Sequence, residues 1–234
     1  MPHPKVRALR AIAEHLTDHL PSGDIDSRWW VLHGVVSHLA EGAEALGNLH
    51  AIRNPVETDG AHIKRVAEAA VKFGKEAEAV LGRANKTVQD GYTDIEKRVR
   101  QKVRLAPDAY ASEVRQAWRG MSEKEKVNAL KELIDGNCGP ELAAIIKAPS
   151  ILTGMAEKHR QEYESAFIAK HAPEELRARE SLAEAFDTVL VSARTASEVA
   201  LAYADPAVLA EIAHAEAAAK TAAKTFDATV RSAA

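Results

Sequence analysis

The chain has 234 residues, a formal net charge of -3 and 28% charged residues, which is the balance of an ordinary solvated surface. This balance argues against a dedicated nucleic-acid binder, which usually carries a strong positive charge. Aromatic residues make up only 5%, and no β-branched run is typical of a strand, so the sequence predicts an all-α protein. A chain of this length can bury the core of one large or two small domains.

The cysteine content and the most apolar segment indicate in which compartment the protein is found and whether it spans a membrane. Cys138 is the single cysteine, so no disulfide forms within the chain, and a reducing compartment is the simpler inference. The N-terminal residues lack the apolar core of a signal peptide. The most apolar run, 29–36, is interrupted by His33 and Gly34 and is too short to span a bilayer. We therefore expect a cytoplasmic protein or a particle component, with no membrane span.

The first two predicted helices are separated by a proline and glycine segment. The first begins at Pro4 and ends near residue 19, because apolar residues recur on one of its faces. The segment 21–23, Pro-Ser-Gly, ends it. The second predicted helix spans 24–53 and ends before Pro55, since proline disfavours helical backbone in the residue before it.

Two adjacent tryptophans lie on the second helix. Trp29 and Trp30 are about 100° apart around the helix axis, so both cannot face one core. We expect Trp29 in the apolar stripe, and Trp30 covered by a neighbouring helix in preference to another subunit. Tryptophan is also a common anchor at protein interfaces.

The longest predicted helix spans about 58–105 and organises the chain. Apolar or small residues recur from Ile63 to Val103 at steps of three and four, with a mean of about 3.6 residues, as in a straight helix. Gly91 could end one helix, with Thr93 opening a second. We favour one continuous helix of roughly 70 Å, because the stripe keeps its phase across the glycine. The short loop before it predicts an antiparallel packing against the second helix.

The segment 106–150 is predicted to form a compact elbow of short helices. Trp118 lies on the stripe of the first of them. Ser122 and Glu125 have the spacing of a capping box, and Gly136 is a helix stop. Pro140 begins a further short helix.

The C-terminal segment 151–234 again predicts long helices, at 152–171, 174–204 and 206–230, separated by prolines. The last is rich in alanine. The predicted domains are therefore an N-terminal long-helix hairpin with a short first helix (1–105), the elbow (106–150) and C-terminal helices that pack on the long helix (151–234). The predicted fold is an elongated helical bundle with one very long helix and antiparallel long helices.

Two histidine-containing patterns are candidate metal ligands. His15 and His19 lie one turn apart, but the zinc-protease pattern requires Glu where Leu16 stands. Glu211 and His214 match the Glu-x-x-His element of di-iron bundles, which need a second such element and two further glutamates. Neither set is completed elsewhere, so we predict no metal and no cofactor.

Cys138 is the candidate nucleophile, within the segment 136–140, Gly-Asn-Cys-Gly-Pro. A nucleophilic cysteine needs a base close to it in space, and nothing selects one of the ten histidines for that role. A small residue in a tight turn is the simpler interpretation. With no glycine-rich phosphate loop and no Gly-x-Ser-x-Gly motif, we predict that the protein is not an enzyme and has no catalytic residues.

A cluster of basic residues lies near the end of the long helix. Cations stabilise a helix C-terminus through the helix dipole, which accounts for much of the cluster, although these side chains could also contact phosphate. No aromatic residue is interleaved for base stacking. The candidate nucleic-acid contacts are Lys97, Arg98, Arg100, Lys102 and Arg104.

Part of the elbow resembles a known class of proteins. The sequence around Trp118 and the capping box at Ser122 is similar to stretches in uncharacterised helical virion structural proteins of tailed bacteriophages. The same similarity is found in the segment 140–154, Pro-Glu-Leu-Ala-Ala-Ile-Ile-Lys-Ala-Pro-Ser-Ile-Leu-Thr-Gly. The resemblance includes no catalytic motif. It implies a structural particle component and a virion-associated location.

We therefore expect a non-enzymatic structural or assembly protein, a head–tail or tail component that packs against copies of itself or other virion proteins. The candidate interface residues are Trp29, Trp30, Phe226 and Val230. The alternative function is a nucleic-acid-associated helical protein that uses the basic segment 97–104, and a helical metalloenzyme ranks third.

Overall fold

The computed structural model describes residues 3–18, 20, 21 and 26–232, and the side chains of 227–232 lie outside the description. Over these residues the chain is helical and contains no strand, which confirms the predicted all-α class. In the described chain the helices are α1 Pro4–Asp18, α2 Ser27–Ala51, α3 Asp59–Val103, α4 Ala111–Gly120, α5 Glu123–Asp135, α6 Gly139–Ile146, α7 Ser150–Thr153, α8 Glu157–His171, α9 Pro173–Tyr203 and α10 Pro206–Ser232.

Helix α3 confirms the predicted long helix. It runs without interruption for 45 residues, and Gly91 lies buried inside it. From Val66 onward the predicted stripe is the face that packs inward, and Val66, Ala70 and Ile95 are buried on it. Ile63, the first residue of the predicted stripe, is 40% exposed. The helix ends where Arg104 adopts a left-handed backbone with φ 47°.

Helices α2 and α3 form the predicted antiparallel hairpin. Near the loop, a ring nitrogen of His62 lies 3.1 Å from the carbonyl oxygen of His50. Farther along, Gly42 faces Phe73, and a Cβ at Gly42 would lie 2.6 Å from the Phe73 ring. The residue numbers rise along α3 as they fall along α2, so the two helices run in opposite directions.

Packing divides the chain into two compact units. One contains the described residues within Met1–Ser22, Ser27–Val88 and Ala183–Ala234, and the other those within Gly23–Asp26 and Gln89–Leu182. Both units therefore include parts of α3 and α9. The grouping differs from the sequential division at 105 and 150, because the end of the chain joins the first unit.

The core of the first unit is built largely from small side chains. Eight of the fourteen buried residues in this cluster, among those the structure describes, are alanines. They come from α2, α3 and α9 and the residue that follows α9, and Leu9 of α1 and Leu39 of α2 are fully buried beside them. A Cβ at Gly74 would lie only 3.3 Å from the methyl group of Ala200. Small residues at these positions allow α3 and α9 to approach closely.

The core of the second unit contains larger side chains. Trp118 is buried, and its indole N–H donates a hydrogen bond of 2.9 Å to the carbonyl oxygen of Thr153. Phe167 is fully buried in the same cluster. The predicted capping box is confirmed at the start of α5, where the Ser122 hydroxyl accepts from the backbone of Glu125 and the Glu125 carboxylate accepts from the backbone of Ser122.

The predicted helix 152–171 needs correction, because the structure divides it. Helix α7 ends at Thr153, and α8 begins only at Glu157. Gly154 lies between them with φ +70°, a left-handed conformation that glycine adopts without strain. The turn was not predicted, because the apolar residues keep a helical spacing across it. None of the helices in the described part of the chain combines the length and apolarity needed to cross a membrane.

Candidate interaction surfaces

Helix α10 begins as a packed helix. Asp205 accepts a hydrogen bond of 2.9 Å from the backbone of Ala207 in the first turn. Val208, Leu209 and Ile212 are half-buried, and Leu209 packs against the alanine-rich core of the first unit. The start of α10 is therefore held by the same apolar contacts as its neighbours.

Beyond this point the described side chains of α10 are exposed. Every residue from Ala213 to Phe226 is exposed, and Phe226 has 68% of its surface accessible. The stripe nevertheless continues at regular steps of three and four through Ile212, Ala215, Ala219, Ala222 and Phe226. An apolar stripe therefore extends past the end of its packing partners. The Val230 side chain, the last predicted interface residue, lies outside the described residues.

One ion pair ties the middle of α10 to α3. The Lys64 ammonium donates to both oxygens of the Glu216 carboxylate at 2.9 and 3.0 Å. This bond raises the pKa of Lys64 and lowers that of Glu216. Because both side chains are about half exposed, the pair orients α10 without burying it.

The two tryptophans differ in burial. Trp29 is 2% exposed, so it belongs to the core. It therefore offers no surface to a partner, although the sequence suggested it as an interface residue. Trp30 is 49% exposed, which corrects the expectation that a helix of the same chain covers it. Its ring packs edge-on against Trp29 with centroids 5.0 Å apart, and Val31 beside it is also exposed.

The basic segment is largely paired with acidic side chains. Arg98 lies 3.4 Å from Asp26, and Arg100 lies 2.5 Å from Glu96. Lys102 contacts two carboxylates, and its hydrogen bonds to Glu175 are the main cause of its raised pKa. Lys97 and Arg104 are the remaining members, and both are exposed. Three of the five predicted phosphate contacts therefore already have anionic partners within the second unit.

A polar cluster at the α2–α3 loop was missed in the sequence. His62 is 9% exposed, and its two ring nitrogens face the His50 carbonyl oxygen at 3.1 Å and the Arg65 guanidinium at 3.1 Å. Arg65 also donates two hydrogen bonds to Glu57, which are the main cause of the lowered pKa of that carboxyl. Because the cluster joins the loop to the first turns of α3, it stabilises the hairpin.

A groove of about 390 Å³ lies between α3, α8 and α9 in the second unit. Its walls are mainly apolar, and the guanidinium of Arg179 lies 5.7 Å over the ring of Tyr92 at its edge. Glu96, the acidic residue of this lining, already binds Arg100. The groove thus has the character of ordinary interhelical space.

Among the described residues, the candidate catalytic and metal-binding side chains form no complete site. Glu211 and His214 are exposed on α10, and His19, the predicted mate of His15, lies outside the described residues. The structure places no group of three His, Cys, Asp or Glu side chains, within the residues it describes, where they could share a metal ion. Cys138 is half-buried in the turn before α6, with its thiol 3.7 Å from the Gly136 carbonyl oxygen.

Comparison with protein-family models, with curated proteins and with solved structures finds no match to this chain.

Proposed function

We propose that the protein is a non-enzymatic assembly protein that packs against copies of itself or against a partner through exposed helical faces. The observation that carries this proposal is the exposed stretch of α10 from Ala213 to Phe226, whose apolar stripe continues beyond the core. Trp30 adds a second exposed apolar surface in the same unit.

The physical reason is that an apolar helix face stabilises a protein or a complex only when it is buried away from water. Contiguous exposed apolar surface commonly marks an interaction site. An isolated helix of this length is marginally stable in water, even when it is rich in alanine, because most helical stability in proteins comes from packing. A partner against 213–226 would supply that packing, as the core does for Leu209.

The particle that we propose is the virion of a tailed bacteriophage, with this chain in the head–tail or tail structure. This proposal is supported by the resemblance of the sequence around Trp118, and of the segment 140–154, to helical virion proteins. If the chain is such a component, mass spectrometry of purified particles will detect it at a fixed stoichiometry relative to the major capsid protein. Its presence only in the infected-cell lysate would contradict the virion assignment.

The experiment that tests assembly is sedimentation velocity of the full chain across micromolar concentrations. We expect the mean mass to exceed that of one chain and to rise with concentration. Phe226→Ser should reduce this association, and Val127→Ser, which alters a similarly exposed apolar residue on α5, should not. A compact monomer with protected amides through residue 230, in the absence of any partner, would contradict the proposal.

A further inference from the structure

The polar cluster at the α2–α3 loop determines the protonation state of His62. One ring nitrogen, Nε2, lies 3.1 Å from the carbonyl oxygen of His50, which can only accept a hydrogen bond. The other, Nδ1, lies 3.1 Å from Nη2 of Arg65, and a guanidinium can only donate. Nε2 therefore carries a proton and Nδ1 carries none, so the ring is neutral in this arrangement.

A carboxylate lies beside the unprotonated nitrogen. Oε2 of Glu57 is 3.5 Å from His62 Nδ1 and 3.0 Å from Arg65 Nη2. The three atoms form a triangle in which two sides are hydrogen bonds from Nη2, and the third side lacks a proton. The hydrogen bond from Arg65 holds the pKa of Glu57 below its ordinary value, so this carboxyl stays ionised in the range where histidine titrates.

A proton on Nδ1 would change which of these atoms can bind each other. Nδ1–H can donate to Oε2, but it can no longer accept from Nη2, and one carboxylate then has two cations beside it. We propose that protonation of His62 transfers Glu57 from Arg65 to His62, so that the α2–α3 loop exchanges its hydrogen-bond partner as pH falls below neutrality. The proton comes from the solvent. This device does not involve the exposed face of α10, so its tests are independent of assembly.

The exposure of the three side chains determines which cation leaves the carboxylate. The side chains of His62 and Glu57 are 11% and 16% exposed, whereas that of Arg65 is 39% exposed. A charge that is largely buried must be paired, but a guanidinium at the surface can be solvated by water. Charged His62 therefore retains the carboxylate, and Arg65 turns toward the solvent.

Other groups surround this triangle within the first unit. The exposed ring of His50 lies with its centroid 6.4 Å from that of His62. Protonation of both rings would place like charges across this gap, so Glu57 becomes the nearest compensating charge. Tyr203 of α9 packs against the other side of His50, and tyrosine is uncharged near neutral pH. Further charged or titratable side chains at this end of the unit are His3, which packs against Tyr203, and the paired Arg53 and Asp59.

The exchange weakens the attachment of the loop to α3. Arg65 donates two hydrogen bonds to Glu57, at 3.1 and 3.0 Å, and charged His62 replaces them with one. We therefore expect the segment 52–58 to open more often in weak acid, in a range where the Glu57 carboxylate is still ionised.

The first test follows His62 and Arg65 together by nitrogen NMR of the full-length wild-type chain. At about pH 7.5 the His62 proton should be on Nε2, and by about pH 5 the ring should be an imidazolium. In the same step, the Arg65 Nε–H signal should move to the position of a solvated guanidinium. The proposal is overturned by a proton on Nδ1 at neutral pH, by a ring that stays neutral in weak acid, or by an Arg65 signal that does not follow the His62 titration.

The second test distinguishes competition for Glu57 from a merely structural contact. Arg65→Gln removes the competing cation, so His62 should gain its proton at a higher pH than in the wild type. Glu57→Gln removes the accepting carboxylate, so His62 should gain its proton at a lower pH. Shifts in the same direction, or no shift in either variant, would contradict the exchange of Glu57 between two cations.

The third test measures the loop itself by hydrogen exchange with mass spectrometry. After correction for the intrinsic effect of pH, peptides that cover 52–58 should exchange about threefold or more faster at about pH 5.5 than at about pH 7.5, as expected for the loss of one hydrogen bond. His62→Gln keeps an N–H donor for the His50 carbonyl oxygen but cannot be charged, so the difference should disappear. His38→Gln, which removes an exposed histidine of α2, is the matched control and should retain it. A difference that survives in His62→Gln would show that another group controls the loop and would overturn the proposal.

Discussion

At Gly139, the start of α6 lies directly against the end of α3. A Cβ at this position would lie 2.1 Å from the Val103 carbonyl oxygen and 3.0 Å from that of Arg104. Both obstacles are backbone atoms, so no side-chain rotation can relieve the overlap. The glycine is therefore required by the close approach of two helices within the second unit.

We expect Gly139→Ala to lower the free energy of unfolding by about 2–3 kcal/mol, as in other overpacked sites. Urea denaturation followed by circular dichroism measures the change. The matched control is Gly82→Ala, an exposed position inside α3 with nothing within 4 Å of an added Cβ. That substitution should raise the free energy of unfolding by about 0.5–1 kcal/mol, because alanine favours helix more than glycine does. Equal effects at both positions would show that the α3–α6 contact is looser than described.

We expect the ionisation of Glu57 to make the stability of the hairpin depend on pH. Its pKa is lowered in the folded state, chiefly by the hydrogen bond from Arg65. A lowered pKa means that its contribution to stability is complete above the unfolded pKa of about 4.3 and is lost as pH falls through the folded pKa. We expect Glu57→Gln to be less stable than wild type at neutral pH, with the difference shrinking as pH falls below about 4.3.

Thermal unfolding measured between neutral pH and the acid range tests this expectation. Glu78→Gln removes an exposed carboxylate on α3 and should follow the wild-type pH dependence. A difference between wild type and Glu57→Gln that stays constant over the whole range would mean that its ionisation is not coupled to folding.

The environment of a residue could be predicted where it depends on position around one helix. It could not be predicted where it depends on how two segments pack together. The 100° separation of Trp29 and Trp30 correctly indicated that only one of them enters the core. Nothing local to His62 indicates that the His50 carbonyl oxygen and the Arg65 guanidinium would both face its ring. That arrangement depends on the register of α2 against α3, which apolar spacing does not determine.

At the scale of elements, the basic segment at the end of α3 is a surface with most of its charge neutralised. Three of its cations are paired with carboxylates, which belong to Asp26, Glu96, Glu174 and Glu175. Phosphate would have to compete with these groups. The segment therefore has less free positive charge than its sequence suggests.

We expect DNA binding by the full chain to be weak, independent of sequence and steeply reduced between about 50 and 200 mM salt. Fluorescence anisotropy with a labelled duplex measures it. Replacement of the five basic residues of 97–104 by glutamine should remove the residual binding, and circular dichroism checks that the variant remains folded. Binding that persists in the folded variant would place the nucleic-acid surface elsewhere.

Helix boundaries were predictable where side chains or prolines determine them. The capping box at Ser122 and the stop at Gly136 lie where the sequence predicts them, because both are local hydrogen-bonding devices. The break at Gly154 was missed, since one left-handed residue does not disturb a stripe that resumes in phase. Continuity of α3 across Gly91 was predicted correctly from that same persistence of phase.

At the scale of the whole molecule, the two compact units are not consecutive segments of sequence. The end of the chain, 183–234, belongs with 27–88, and 89–182 forms most of the other unit. Periodicity identifies which faces must be buried, but it does not select the partner for each face. The helices were therefore predictable from sequence, whereas their grouping required the tertiary contacts.

Assembly predicts a concentration-dependent pattern of amide exchange over the whole chain. In dilute solution, the amides of 213–226 should exchange rapidly, because the packing that stabilises a helix is absent there. Their protection should increase with protein concentration, while amides at the buried face of α3, such as that of Ala70, stay protected throughout. Hydrogen exchange with mass spectrometry provides the measurement. Protection of 213–226 that does not change with concentration would contradict self-association through this helix.

The alanine-rich core of the first unit has a consequence for how this sequence can vary. A core of leucine and phenylalanine is most vulnerable to truncation, which opens cavities. Where alanine already fills the space, little remains to be removed, and the damaging changes are those that add volume. Positions such as Ala70, Ala77 and Ala196, all fully buried, should therefore accept glycine or serine in natural variants more readily than valine or leucine. The spacing between its helices, more than the bulk of its side chains, is what selection on this protein would preserve.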